Sequence, residues 1–451
     1  MHAARSSLGV AVVAAVVGIA FADSSIVVLA LPQLYGRFDT TITGVSWVLT
    51  AYNVAVAVTA IALVLFVHHL RAAVVLASGI LLFLGASIAC AAAGSLEFLI
   101  AARCVQGVGA ALLLAGALPV LVALTGSAAA AAGVWTLAGT FGAALGPALG
   151  GVLTELFDWR AIFVAQAPVA AAALLAVRAA PEAELAEGWR PKLRQTIPAN
   201  VCIGLLFGAL AGVLFLAVLL VIVVWGYSPI GGAAIVSVIP VATLAARPLE
   251  RRLEPLYAVC GGALLLALGL VALALLPSSA AVYVVVALLF CGAGLGLSVP
   301  FLSRAALDTR SDLPRTGTLT IGVRHLGLVL ALGLIAPLLA SSVPAAGHRA
   351  ELRATAVLLD APISLTTKLP IAYDLVGLFK QAQDGEVPDL AQPFNAHGAR
   401  NDETLASVRD ELVGTIEETI TRCFRPAFFL SALLAALAIP VALLFRRRLV
   451  A

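Results

Sequence analysis

Residues 8–31 read LGVAVVAAVVGIAFADSSIVVLAL, an apolar run with a single ionisable side chain, Asp23, about two-thirds of the way along. A helix rises about 1.5 Å per residue, so this run is long enough to cross the ~30 Å of hydrocarbon in a bilayer. Arg5, the apolar core and Ala20-Phe21-Ala22 also have the outline of a secretory leader with its cleavage site. The run continues from Ile26 to Leu31, however, and reads as a retained span. Outward from it the pattern recurs. Apolar runs cover 44–66, 72–93, 96–124, 128–153 and 161–177, then 200–225, 231–246, 256–276, 280–302, 317–339 and 427–445, about twelve in all. Each is continuous rather than alternating with period two, which predicts helices and not barrel strands.

Of the 451 residues, 62% are hydrophobic and 11% charged, against roughly 45–50% and about 25% in soluble domains. This excludes a soluble fold, and also a soluble domain on one anchor, because an anchor takes only about 20 residues. Net charge is +3 and the basic residues lie scattered between apolar runs, so no nucleic-acid partner is expected. The six cysteines, Cys90, Cys104, Cys202, Cys260, Cys291 and Cys423, show no paired spacing, and five fall inside apolar runs. They read as small hydrophobes, with neither a disulfide framework nor a metal site implied. No phosphate-binding Gly-rich loop with Lys, His-Glu-x-x-His or Gly-x-Ser-x-Gly occurs. An enzyme, a cofactor and a metal are therefore not expected, and an ion gradient must supply the energy for any pumping. Arg outnumbers Lys 24 to 3 and Ala is abundant, as in GC-rich bacterial genomes.

Lys and Arg collect on the cytoplasmic side of membrane proteins. With the N-terminus inside, fifteen basic residues fall in inside segments and two, Arg37 and Arg160, in short outside loops. This predicts a multi-pass protein of a bacterial inner membrane with both termini cytoplasmic. The domain boundaries follow: a six-helix bundle over 1–178, a cytoplasmic linker over 179–199, helices 7–11 over 200–340, an extracytoplasmic insertion over 341–426, and the twelfth helix with a cytoplasmic tail over 427–451. Within the insertion, Ile371, Leu375, Leu378 and Phe379, then Leu405, Val408, Leu412, Ile416 and Ile420, recur at helical spacing and predict a small helical cap. The halves echo each other: Gly44, a span and His68-His69-Leu70-Arg71 in the first, Gly232, a span and Glu250-Arg251-Arg252-Leu253 in the second. Repeated halves are typical of secondary transporters, whose site lies at the midplane between them.

An ionisable group inside a span is costly and is a functional candidate by default. Asp23, followed by Ser24 and Ser25, is a candidate proton or cation-substrate site; the alternative is a static partner for a buried Arg. In span 4, Arg103 and Gln106 share a helix face, beside Gly107 and Gly109. They read either as a sensor of a carboxylate such as Asp23 or as a structural hydrogen-bond hub. Span 5 holds Gly139, Gly142, Gly146, Pro147, Gly150 and Gly151, a nearly bare face for close packing that also suits a hinge. Span 11 carries Arg324 and His325; histidine exchanges protons near neutrality, but adjacent residues point about 100° apart, and a hydrogen-bonded structural histidine is the stronger reading. Glu97, Glu155 and Asp158 sit at helix ends and read as surface residues.

Several of these stretches resemble the major facilitator superfamily, in particular its drug:proton antiporter branch that usually has fourteen helices. The matching residues are Asp23 with Ala30-Leu31-Pro32; Trp47 with Tyr52; Arg103, Gln106, Gly107 and Gly109; and Gly142, Gly146, Pro147, Gly150 and Gly151. Trp159-Arg160 with Phe163 and Pro168, and Gly226-Tyr227-Ser228-Pro229 with Gly232 and Pro240, add to them. The resemblance implies a two-bundle transporter working by alternating access, exporting small amphipathic molecules in exchange for protons. It implies coupling roles for Asp23 and Arg103 and an antiport role for the Gly-Pro motif. The chain departs from the family pattern in three places. The loop Val67-His68-His69-Leu70-Arg71 lacks the usual Gly and Asp, the two extra central helices are replaced by the linker, and Gln166 stands where Asn is usual. The partners expected are a small-molecule substrate, protons and the bilayer, with the protein a monomer and 341–426 free to meet an extracytoplasmic partner. The rival readings are a non-transporting receptor or scaffold that uses this insertion, and a proton symporter.

Overall fold

The computed structural model describes residues 2–66, 71–177, 193–307, 312–381, 391–397, 399 and 402–444. Most of the loop 67–71, the linker up to 192, Arg310 and the basic tail lie outside the described residues. Among the described residues every regular element is a helix. The first half holds α1 (His2–Ile26), α2 (Ile42–Phe66), α3 (Ala72–Ala91), α4 (Leu96–Thr125), α5 (Ala128–Leu156) and α6 (Arg160–Val177). The second begins with α7 (Leu193–Val218), whose first turns take in the end of the expected linker. A broken span follows, α8 (Pro229–Val236) with Val238–Ala245 and Arg247–Glu250 continuing it, then α9 (Pro255–Ala274), α10 (Ala281–Ala306) and α11 (Leu313–Asp360). Three helices, α12 (Leu365–Gln381), α13 (Ala391–Ala396) and α14 (Glu403–Thr421), precede α15 (Arg425–Leu444). Eleven of the helical runs are long and apolar enough to cross a membrane, and the shorter apolar stretch Arg160–Leu174 is the sixth in the series of twelve.

Local irregularities have identifiable causes. α1 passes into a 3-10 turn, Val27–Ala30, and then the helix Leu31–Arg37. Pro32 has no N–H to donate and its ring would crowd the carbonyl four residues back; that carbonyl, of Val28, accepts from Leu31 in the tighter turn. α11 runs unbroken for 48 residues, past the expected end of span 11 near 339, so residues 341–360 of the insertion belong to the same helix as the span. Leaving lipid does not end a helix whose backbone stays satisfied. Ser341 and Ser342 both donate back to the Leu338 carbonyl at 2.9 Å, and Val343, Ala346, Ala350, Ala354 and Leu358 extend its buried stripe. That stripe meets α14, whose Leu405, Val408, Leu412, Ile416 and Ile420 are buried as their spacing predicts.

The two halves share one packing scheme. α1 lies on α5 and α3 on α4 and α6; in the second half α7 lies on α11 and α9 on α10 and α15. The halves meet where α2 lies on α11 and α5 on α8, which are the same pair after a shift of six spans. Without water to drive apolar surfaces together, such contacts depend on close backbone approach. On α5, a Cβ at Gly142 would run into the Gly18 carbonyl, at Gly146 into Ser25 and Ala22, and at Gly150 into the Ile26 carbonyl. Glycines spaced by four thus lie along α1 carbonyls spaced by four. Gly151 turns to the other half, against Ala233 and Pro229. Gly204 and Gly208, which the sequence did not single out, pack α7 on α11 in the same way, against the Val323 and Gly327 carbonyls, while Gly212 meets Ser431 of α15 and Ile335 of α11.

Gly142→Ala should therefore lower the thermal unfolding midpoint of the detergent-solubilised protein, by the ~1–3 kcal/mol typical of an overpacked contact. Gly133→Ala, on the same helix with nothing within 4 Å of the added carbon, is the control and should not lower the midpoint, since alanine is the better helix former.

Candidate functional site

The polar side chains of the first half converge on Asp23. α1 places its carboxylate at full burial, and Arg103 Nη1 on α4 donates to Asp23 Oδ2 at 2.5 Å. The same nitrogen donates to Gln106 Oε1 at 2.7 Å, one turn along α4, as the shared helix face predicts. From α6, Gln166 Nε2 donates to Asp23 Oδ1 at 2.8 Å while Gln166 Oε1 accepts from Gln106 Nε2 at 3.0 Å. Gln106 Nε2 also donates to Ser87 Oγ on α3 at 2.9 Å. On α2, the Val48 carbonyl accepts from Arg103 Nε at 3.0 Å, and the Tyr52 ring lies 4.2 Å from the guanidinium carbon. Tyr52 donates its hydroxyl to the Ala20 carbonyl at 3.0 Å. Asp23, Arg103, Gln106 and Ser87 show no exposed surface. Five helices of one half are tied at one point, and Arg103 Nη2 alone in the cluster is buried without a partner.

Gln166 completes the cluster even though a shorter amide is the expected residue there, because its longer side chain reaches both Asp23 and Gln106. Trp47 stays outside: it is 49% exposed, five residues and about 140° of helical rotation from Tyr52, so the two cannot share a face. Ser87 and the Val48 carbonyl were not singled out in the sequence. Ser87 also donates to the Phe83 carbonyl on its own helix, the usual fate of a serine in a span, and nothing in its spacing reveals the second contact.

Beside the cluster, between the halves, lies a cavity of about 160 Å³. Asp23 does not line it, but its neighbours Ser24 and Ser25 do. α11 contributes Arg324, which faces the cavity, and His325, which faces the first half: their 100° offset separates them as expected. His325 Nδ1 lies 2.7 Å from Asn53 Oδ1 on α2. Asn53 Nδ2 already donates to the Leu49 carbonyl at 2.8 Å, so its Oδ1 is the acceptor and the histidine nitrogen carries the proton. Ser24 also donates to Asn53 Oδ1, at 3.3 Å. This chain from Ser24 through Asn53 to His325 crosses from one half to the other, one residue away from Asp23. Glu155 is exposed, as read from the sequence, yet it also bridges the halves: it accepts the Ile230 N–H at 2.7 Å, at the start of α8, where a helix N-terminus favours a carboxylate. Among the described residues no group of acidic, histidine and cysteine side chains is arranged to hold a metal ion.

Known proteins resemble the chain in sequence and in fold. The chain is similar to the methylenomycin A resistance protein of Bacillus subtilis (strain 168), 33% identical over 156 residues that make up 34% of each chain. It is similar to the multidrug resistance protein Stp of Mycobacterium tuberculosis (strain ATCC 25618 / H37Rv), 34% identical over 167 residues, 34% of this chain and 29% of the relative. The multidrug efflux pump LfrA of Mycolicibacterium smegmatis (strain ATCC 700084 / mc(2)155) is 31% identical over 168 residues, 37% and 33% of the two chains. The chain thus spans about a third of the length of the curated relatives it matches. Among solved structures, a bacterial homolog to the human lysosomal transporter Spinster, inward-facing and occupied, superposes with a TM-score of 0.68 at 16% identity, covering 98% of this chain and 97% of the other. A D-xylose-proton symporter gives a TM-score of 0.57 at 14% identity, over 72% and 89%. These likenesses establish the fold, and the match of the Major Facilitator Superfamily model to residues 13–332 establishes that the chain belongs to that superfamily.

Proposed function

We propose that the protein is a secondary transporter that exports small amphipathic compounds in exchange for protons, by alternating access, in a bacterial inner membrane with both termini cytoplasmic. The observation that carries this reading is the fully buried Asp23–Arg103 pair beside a cavity between the halves. Asp23 is the proton site and Arg103 its charge partner. A proton arriving on Asp23 removes the negative member of the pair and leaves the guanidinium uncompensated. At about 4 Å and an effective dielectric near 20, two unit charges interact by about 4 kcal/mol, enough to bias two conformations strongly. Arg103 is tied to α2 through Val48 and Tyr52, and α2 packs on α11 of the other half. The protonation state of Asp23 thereby acts on a contact between the halves. Each charge moving down a 100 mV potential supplies about 2.3 kcal/mol for the cycle. The glycine ladder of α5, with Gly151 against α8, is the packing surface on which the halves rearrange. The outlying segment 341–426 is the extracytoplasmic cap of the transporter.

Asp23→Asn should abolish drug-driven proton flux in everted vesicles, and flux equal to wild type would remove Asp23 from the proton path. Because breaking a buried pair costs about 3–5 kcal/mol, the single variant should also unfold at lower temperature. Asp23→Asn with Arg103→Gln should regain stability without regaining flux, which separates coupling from folding. For the cap, Tyr373 is 82% exposed, and Tyr373→Cys should react with a membrane-impermeant maleimide in intact cells, with the wild-type protein as the blank. Reaction only in everted vesicles would place 341–426 on the cytoplasmic side.

A further inference from the structure

We infer that the cavity between the halves takes an amphipathic organic anion, an apolar body bearing a carboxylate, and that Arg324 recognises its charge. The inference rests on the reading of this cavity as the substrate site, and it narrows the substrate class.

Among the described residues lining the cavity, Arg324 is the one charged side chain, and no carboxylate faces it. Asp23 is occupied elsewhere by Arg103 and Gln166. The Arg324 guanidinium carbon lies 4.5 Å from the Phe21 ring centre and 4.0 Å from that of Phe207, so rings from α1 and α7 hold it between the halves. Its Nε is buried with no hydrogen-bond partner. Aromatic faces stabilise a guanidinium but do not neutralise it. They leave its N–H groups without an acceptor, and a guanidinium can grip a carboxylate with two parallel hydrogen bonds.

The rest of the lining agrees. It is mainly apolar, with Trp135, Leu210 and Ile239 among its walls, which suits an apolar body. Several of its hydroxyls are committed as donors to backbone, Ser25 to Ala22 and Ala143, Thr140 to Thr136, Thr243 to Ile239 and Gly292, and Thr320 to Thr316, while Ser24 donates to Asn53. Arg324 is the charged donor left unsatisfied; the Trp135 indole N–H also lacks a partner but carries no charge. A cationic ligand would meet like charge in a low-dielectric space, and a neutral one would leave the guanidinium unpaired.

Purified full-length protein in detergent tests this through the emission of Trp135, which lines the cavity. Phenylbutyrate, phenylbutanol and phenylbutylamine share one apolar body and differ in charge. The acid should bind about tenfold or more tighter than the alcohol, the gain expected of a charge-assisted hydrogen bond, and the amine weakest. Arg324→Gln should erase the preference while keeping alcohol binding, which shows that the cavity has survived the change; Arg324→Lys should retain part of it. The inference is overturned if the amine binds as well as the acid, if no probe gives a saturable change, or if Arg324→Gln keeps the preference. Proton flux in proteoliposomes separates the two readings. Acid that binds wild type but drives no flux leaves the Arg324 site standing and removes the antiport reading. Flux driven by the amine and not the acid does the reverse.

Discussion

Inside a bilayer, a charge that cannot reach water must be answered by the protein itself, and the answer to Asp23 organises the first half of this molecule. Two carboxylate oxygens take donors from Arg103 and Gln166, and Gln106 then links both donors to Ser87. Each bond fixes the rotation of a helix about its own axis, because a slip of one residue turns a side chain by about 100° and carries it out of reach. A cluster that neutralises one acid thereby sets the orientation of α1, α3, α4 and α6, while the Val48 carbonyl sets α2 through Arg103 Nε.

Orientation alone does not bring helices close. That is the work of the glycines on α5, which accept the carbonyls of Gly18, Ala22 and Ile26 almost backbone to backbone. The two devices meet on α1: Ala22 faces the glycines and Asp23, next in sequence, faces the polar cluster. A change in charge at Asp23 is felt by a helix already seated against its neighbour, so α1 has little freedom to absorb the change locally. Under the proposed protonation of Asp23, the contacts next in line are Ser24 with Asn53 and Asn53 with His325 across the halves.

The fold was legible because lipid imposes one dominant rule. Spans must be helical and apolar, so hydropathy gave their number and order. What it missed was the point at which α11 ends: hydropathy drops after 340, while Val343, Ala346 and Ala350 continue a buried face that holds the helix together to Asp360. Asp23, Arg103 and Gln106 stood out because polar groups in spans are costly and hence few. Asn53 and Ser87 did not, since both also bond to their own helices, to Leu49 and Phe83. Whether such a residue also reaches across a gap depends on helix rotation, which no spacing rule supplies. Trp47 shows the opposite failure, a residue associated with Tyr52 in the sequence but carried to the exposed side of α2.

The halves share a packing scheme but not a charge pattern. α7 occupies the place of α1 and α10 that of α4, yet among the described residues neither carries a mid-span counterpart of Asp23 or Arg103. The mid-span charge of the second half is Arg324, on the helix equivalent to α5, and it faces the cavity instead of a carboxylate. One half thus holds a compensated pair sealed from the cavity, and the other a cation open to it. If both charges were compensated, the cavity would offer a ligand only apolar walls. Sealing one and exposing the other leaves a single fold with a neutralised internal pair and a separate cation facing the cavity, while Phe21, which holds Arg324 from α1, stays two residues from Asp23.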